Sequence, residues 1–334
     1  MAIQLKYMYT TPNEERTKIV NRFFEDILPI KDVRNYLLMH IASCLMGLPN
    51  KDQDFFVLTG RKGSNGKSLL ASFLGYAFCE YFCHSPVSLM TKSREKANEA
   101  NEAIMTLVNK RIVTMSEPGK EAIQSENLKL MTGGDGISAR GLHEKTQIVN
   151  IDLKFFMLCN RIPLLSESGE AEMRRLKVIN FPTKFCENPK KIHERKIDTS
   201  LSDKLKECLN ELMHILIEHL KEYRKQTSGG NKLICPKEVT EQIAIYIKRN
   251  KSDIDEFIEE FMEIKKDERI SVTDVWTRYK AWCLDEDKKQ AVKTIFEQVV
   301  EDYFEIDIKK KSYFNNCHIQ CWNGIAFKPE PLLN

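Results

Sequence analysis

No stretch of this 334-residue sequence stays apolar for the roughly 18 residues that a membrane-crossing helix requires. Residues 1–11 also lack the basic start and apolar run of a secretory leader. The expectation is an intracellular protein with no membrane partner. An excess of one charge is missing too: 51 Lys and Arg stand against 48 Asp and Glu, and a net charge of +3 is too small to reveal a nucleic-acid partner by itself. The ten cysteines lack the regular spacing of a disulfide framework, so they read as small buried hydrophobes in a reducing compartment. Their tightest groupings, Cys79, Cys83, His84 and Cys317, His318, Cys321, have no second paired half, and no zinc is expected. Internal repeats and low-complexity tracts are absent. What remains is ordinary globular material, 42% apolar and 30% charged, long enough for two or three domains.

Residues 1–50 carry apolar positions at helical spacing, first Val20, Phe23, Phe24, Ile27, Leu28 and then Val33, Tyr36, Leu37, Ile41, Cys44, which predicts a helical collar. Residues 51–185 alternate short apolar runs with helical patterns, and 55–59, 111–115 and 154–159 read as buried strands of an α/β core. A helical segment and linker follow at 186–250, with Leu205, Leu209, Leu212, Leu216 and Leu220 predicting one long helix that Gly229 and Gly230 stop. Residues 251–334 hold all three tryptophans and predict a small separate domain. There, two helical faces precede strands at 305–308 and 319–322 that flank a polar turn region with Lys309, Lys310 and Lys311. That outline fits a winged helix, and equally a protein-docking module with a solvated lysine turn.

The strongest signal is Phe55-Phe56-Val57-Leu58-Thr59 running into Gly60-Arg61-Lys62-Gly63-Ser64-Asn65-Gly66-Lys67-Ser68 and then Leu69, Leu70, Phe73 and Leu74. Strand, glycine-rich loop and helix in this order make a phosphate-binding loop. Its backbone N–H groups and the helix N-terminus point at phosphate oxygens, with Gly63, Ser64, Asn65 and Gly66 forming the cradle. Lys67 is placed to reach the β- and γ-phosphates of ATP, and Ser68 to hold Mg²⁺. Strict spacing wants glycine at position 61, where Arg61 stands after Gly60, so the loop is expected to be one residue wider at its start. Glu117 ends the second apolar run, at the sheet edge where ligands gather, and is the candidate for holding Mg²⁺ and orienting the attacking water. Asn160 ends the third and is the candidate sensor of the γ-phosphate; a plain turn residue is the alternative.

The order of these motifs resembles superfamily 3 helicases, and within them the primase-helicases of poxviruses, other large DNA viruses and some phages. The resemblance covers residues 53–183 and rests on Gly63 to Ser68, Ser116-Glu117, Thr132-Gly133-Gly134-Asp135 with Arg140, Asn160-Arg161-Ile162-Pro163, and Arg174-Arg175 before the apolar run 176–181. It implies an AAA+-like P-loop ATPase core with flanking helices and a small C-terminal winged-helix-like domain. It further implies a ring, usually a hexamer, that draws single-stranded DNA through its centre with 3′-to-5′ polarity. Arg175, or else Arg174, is similar to the arginine that reaches a neighbour's nucleotide. The family projects a hairpin into the channel, and 137–142 with 147–153 can form one whose tip carries His143 and Lys145 for passing phosphates. The acidic metal-binding motifs of a primase catalytic domain are missing, so a primase is expected as a separate partner or on a longer chain. Work in a host cytoplasm or nucleus follows if the source is viral. Two other readings stand beside the helicase: an ATPase that remodels protein or packages DNA without unwinding, and a non-enzymatic scaffold with a degenerate nucleotide site.

Overall fold

The computed structural model describes residues 6–46, 52–60, 63–92, 102–119, 121–140, 145–160, 162–166, 169–250, 253–304, 310–314 and 317–329. It divides into two compact units, Met1–Lys248 and Arg249–Asn334. The strands of the first unit are β1 (Phe55–Thr59), β2 (Phe82–His84), β3 (Ile112–Met115), β4 (Gly136–Ala139), β5 (Gln147–Asn150), β6 (Lys154–Cys159), β7 (Leu176–Asn180), β8 (Lys184–Cys186) and β9 (Glu194–Lys196). Five of them form a parallel sheet in the order β2-β3-β6-β1-β7. Parallel strands are covered on both faces, which is why β1, β3 and β6 are continuous apolar runs rather than alternating ones. Phe55 stacks on Phe155 and Phe56 on Phe156 across the β1–β6 pair, at centroid distances of 5.9 and 5.0 Å.

The helices of this unit are α1 (Glu14–Ile27), α2 (Lys31–Ser43), α3 (Lys67–Phe78), α4 (Ser88–Thr91), α5 (Glu102–Met105), α6 (Ser125–Gly133), α7 (Glu170–Met173), α8 (Leu201–Lys206), α9 (Leu209–Gln226) and α10 (Lys237–Asn250). One sheet face sends Phe56, Leu58, Phe156 and Ile179 into a core with Phe24 of α1, Leu37 and Ile41 of α2, Phe73 of α3 and Leu216 of α9. The other sends Phe55, Val57, Phe155, Met157 and Val178 against Leu128 and Met131 of α6 and Ile137 and Val149 of β4 and β5. Helices α1 and α2 form as the spacing predicts, and they share a core with the sheet. The long helix expected over 201–223 is instead broken between α8 and α9. At the break Glu207 and Cys208 donate their N–H groups to Lys204 and Leu205, and the Cys208 thiol donates to the Lys204 carbonyl at 3.1 Å, tightening the chain out of helical register.

The second unit contains α11 (Asp253–Phe261), β10 (Met262–Ser271), α12 (Val272–Asp285), α13 (Lys293–Tyr303), β11 (Lys310–Phe314) and β12 (Cys317–Phe327). The sheet is antiparallel with β12 in the middle, and Phe257, Tyr279, Trp282, Phe296 and Trp322 fill its core. Two sequence expectations are corrected. A further strand, β10, pairs with β12, which contains the expected strand 319–322; it is hidden in the sequence because Lys265 to Arg269 make its middle polar and exposed. Lys310 and Lys311 lie inside β11, paired with Cys321 and Gln320, rather than in the turn; 305–309 fall outside the described residues.

His40 of α2 is 1% exposed, ringed by Tyr36, Phe56 and Tyr223, and neither ring nitrogen has a hydrogen-bond partner. Burial, reinforced by Lys154 and Lys177, pushes its pKa well below the usual value. The unfolded chain takes up a proton near pH 6.5 that the folded chain refuses, so stability present above that pH is lost as pH falls. Denaturation at pH 7.5 and pH 5.5 should show His40→Phe gaining about 1 kcal/mol on the wild type at the lower pH; an equal difference at both pH values would exclude this role.

Candidate functional site

The carboxyl ends of β1, β6 and β3 lie side by side, and the residues just beyond them converge. The amide N–H of Asn160, after β6, donates to Glu117 Oε2, after β3, at 3.2 Å. Thr59 at the end of β1 donates its hydroxyl to the Asn160 carbonyl at 3.4 Å. Into this edge comes Lys67, the first residue of α3 and 6% exposed, whose Nζ donates to Asn65 Oδ1 at 3.0 Å and Asn160 Oδ1 at 3.4 Å. Burial lowers the Lys67 pKa, and the nearby Glu117 carboxylate offsets part of the effect. Burial also raises the Cys159 thiol to about 12, so it stays neutral. Glu117 is therefore the anionic group that faces the ammonium.

The loop 60–66 is shaped by two glycines. Gly66 caps α3 with φ +87, and a Cβ there would meet Ile27 Cγ2 at 2.5 Å. A Cβ at Gly60 would meet the Asn65 amide at 2.2 Å and the Phe181 carbonyl at 2.9 Å, so the glycine one place before the strict motif position is the one the packing requires. Gly63 meets nothing and is exposed. The Ser64 carbonyl accepts from the Phe185 N–H at 2.7 Å, fastening the loop to β8. Arg61 and Lys62 lie outside the described residues. A cradle of this kind, an ammonium and the N-terminus of a twelve-residue helix suit a phosphate-like anion. Exposed Ser68 and the Glu117 carboxylate offer oxygens to a hard cation.

Residues 132–135 sit where α6 ends. Gly134 has φ +83, and the chain then enters β4, which pairs antiparallel with β5 from Gly136↔Asn150 to Ala139↔Gln147. β4 and β5 pair as the strands of the expected hairpin; Lys145, two residues before β5, is exposed, and 141–144, His143 among them, lie outside the described residues. The two arginines part company. Arg175 is 7% exposed and donates Nε to Thr132 Oγ1 at 3.1 Å and a terminal nitrogen to the Ala171 carbonyl at 2.6 Å. Arg174 is exposed and donates to Gln53 Oε1 at 3.1 Å. Sequence reasoning put Arg175 first and missed Gln53 and the latching role of Asn65; a side chain that links two loops leaves no periodic trace.

His40, Asp52 and Asp54 also bring potential metal-ligand atoms within 4.8 Å of one another. The Lys177 ammonium, 2.9 Å from Asp54, already occupies a cation's place there.

Residues 58–175 match the profile of a family of unknown function (DUF5906), and 237–327 match the Poxvirus D5 protein-like profile. A helicase-named protein of Acanthamoeba polyphaga mimivirus is 32% identical over 292 residues, covering 83% of this chain and 29% of the relative. A primase-named protein of African swine fever virus is 25% identical, again with 83% and 29% coverage. The chain is thus similar to proteins named as helicases and primases in large DNA viruses. It spans less than a third of the length of these relatives. The apo structure of the NrS-1 C-terminal region superposes with a TM-score of 0.57 at 12% identity, covering 95% of this chain and 79% of that one, a likeness of fold.

Gly66→Ala should lower the thermal midpoint by several degrees, combining about 1–3 kcal/mol of backbone strain with the Ile27 clash. Gly63→Ala should leave the midpoint unchanged; equal effects of the two would refute this account of the loop.

Proposed function

We propose that this chain is the ATP-hydrolysing motor of a DNA helicase that serves the replication of a large DNA virus or a related element. The observation that carries the reading is the meeting of Lys67, Asn160 and Glu117 at one sheet edge beneath the N-terminus of α3. The strand order supports an AAA+-like P-loop ATPase core, because it puts the Asn160 strand between the loop strand and the acidic strand, where an amide can face the γ-phosphate. Loop N–H groups and Lys67 bind the phosphates of ATP, and Ser68 and Glu117 would hold Mg²⁺, which would supply charge neutralisation to the phosphates. Glu117 orients a water for attack on the γ-phosphorus; the bond to the β–γ bridging oxygen breaks, and ADP and phosphate leave. A cavity of about 160 Å³ between the α1–α2 link and α10, bounded by Leu28, Ile30, Val33, Pro182, Val239 and Gln242, receives the base. Its walls adjoin Ile27 and Phe181, which pack against Gly66 and Gly60.

Of the two arginines, Arg174 is the one that reaches a neighbouring copy's nucleotide in this reading, since the Arg175 guanidinium is buried and engaged within its own subunit. This supports a shared site in a ring, by resemblance a hexamer, with the β4–β5 hairpin and Lys145 on single-stranded DNA moving 3′-to-5′. The second unit, three helices with a three-stranded antiparallel sheet, is winged-helix-like. Acidic residues outnumber basic ones in 249–334, and α13 carries Glu297 and Glu301 against Lys293, so docking to a primase or another replication protein is favoured over DNA contact for this unit.

Steady-state ATP hydrolysis with and without single-stranded DNA tests the reading. Wild type should be stimulated by DNA, Lys67→Ala inactive, Lys145→Ala active but unresponsive, and Arg174→Ala reduced by about 10³-fold or more. Arg175→Ala should instead chiefly lower the thermal midpoint. Hydrolysis indifferent to DNA would transfer the site to protein remodelling or packaging, and no hydrolysis at ring-forming concentrations would refute an enzyme.

A further inference from the structure

Thr132 and Gly133 close α6 immediately before the hairpin, and both are held by the arginine pair. Arg175 holds the Thr132 hydroxyl directly. Arg174 holds Gly133 at one remove, through a side chain that faces both ways: Gln53 Oε1 accepts from the Arg174 guanidinium at 3.1 Å, and Gln53 Nε2 donates to the Gly133 carbonyl at 3.3 Å. Gln53 adopts φ +57, a conformation that non-glycine residues enter at a cost and keep where their surroundings impose it. Its neighbours are fixed independently. Asp54 pairs with the Lys177 ammonium at 2.9 Å, the Phe55 N–H donates to the Arg175 carbonyl at 2.7 Å, and Lys177 also donates to the Arg174 carbonyl at 2.5 Å. The backbones at 53–55 and 174–177 are thus locked together, and the movable part of the contact is the Arg174 side chain and the Gln53 amide. From Gly133 the path is short: Gly134 in the left-handed region, Asp135, then β4.

We infer that Gln53 is a positioning residue that couples the exposed Arg174 guanidinium to the root of the β4–β5 hairpin. While Arg174 is on Gln53, the amide is oriented to clamp the Gly133 carbonyl. When Arg174 turns to an anion outside its own subunit, the amide loses the partner that orients it and the hairpin root is released. The mechanical meaning of this link rests on the proposed function, whereas the link itself is a property of one chain and is measurable without turnover.

The test is amide hydrogen exchange of the full chain, read on peptides covering 133–150, for wild type, Gln53→Asn and Arg174→Ala. Asn tolerates the left-handed backbone but is too short to bridge both partners. Each substitution should raise exchange in 133–150 roughly two- to tenfold, the worth of one ordinary hydrogen bond, and leave the β1, β3 and β6 peptides at wild-type rates. Gln53→Glu separates the two arms, because a carboxylate still accepts from Arg174 but cannot donate to Gly133; it should loosen the hairpin root as Gln53→Asn does. No rise in Gln53→Asn, a rise there without one in Arg174→Ala, or a rise spread evenly over 1–248 each overturns the coupling. A wild type that fails to hydrolyse ATP would remove the proposed function and leave this result standing.

Discussion

A buried ammonium at the edge of a parallel sheet is the constraint around which this site is arranged. Lys67 is held at the first turn of α3, where the helix terminus itself is electropositive, and its amide partners Asn65 and Asn160 contribute no formal charge. Such a group is costly to keep dry unless its donors are satisfied. The two asparagine oxygens satisfy part of that need, the Glu117 carboxylate supplies a nearby negative field, and both depend on β1, β6 and β3 ending in register. The Phe55–Phe155 and Phe56–Phe156 stacks that fix the β1–β6 register therefore also place Lys67 opposite Asn160. An anion arriving at the loop offers the ammonium a stronger partner than two amides, which is the physical basis for a site that responds to occupancy.

Around that edge the chain uses position rather than abundance. Arg174 and Arg175 are adjacent, yet one is exposed and the other ties α7 to α6 through Thr132. The element at 132–135 thereby acquires a structural meaning: it is the joint between the arginine pair and the hairpin, and Gly134 supplies the left-handed turn that redirects the chain from α6 into β4. In the proposed motor, this joint lies between the arginine pair and the hairpin that meets DNA.

How much of this was legible in the sequence depended on whether the signal was local. Continuous apolar runs located β1, β3 and β6 almost to the residue, because a strand buried on both faces needs apolar side chains at every position. The glycine-rich loop was legible for the same reason, although its sequence weighted Gly63, which packs against nothing, above Gly60, which has no room for a Cβ. What was missed was tertiary. The break at Glu207 and Cys208 leaves the leucine spacing intact, β10 is polar over its middle, and nothing in Arg174-Arg175 says which guanidinium is buried. Gln53 carried no signal at all, since its role is defined by two loops that meet only in the fold.

The most direct test of the central claim is calorimetric titration of Mg-ATP into the wild type and into Lys67→Met, which keeps the length of the side chain and removes its charge. Saturable binding by the wild type, about one nucleotide per chain, and its loss in a variant that remains folded are the expected results. Equal affinity in the two proteins would contradict that claim, because the buried ammonium would then have no part in holding the nucleotide.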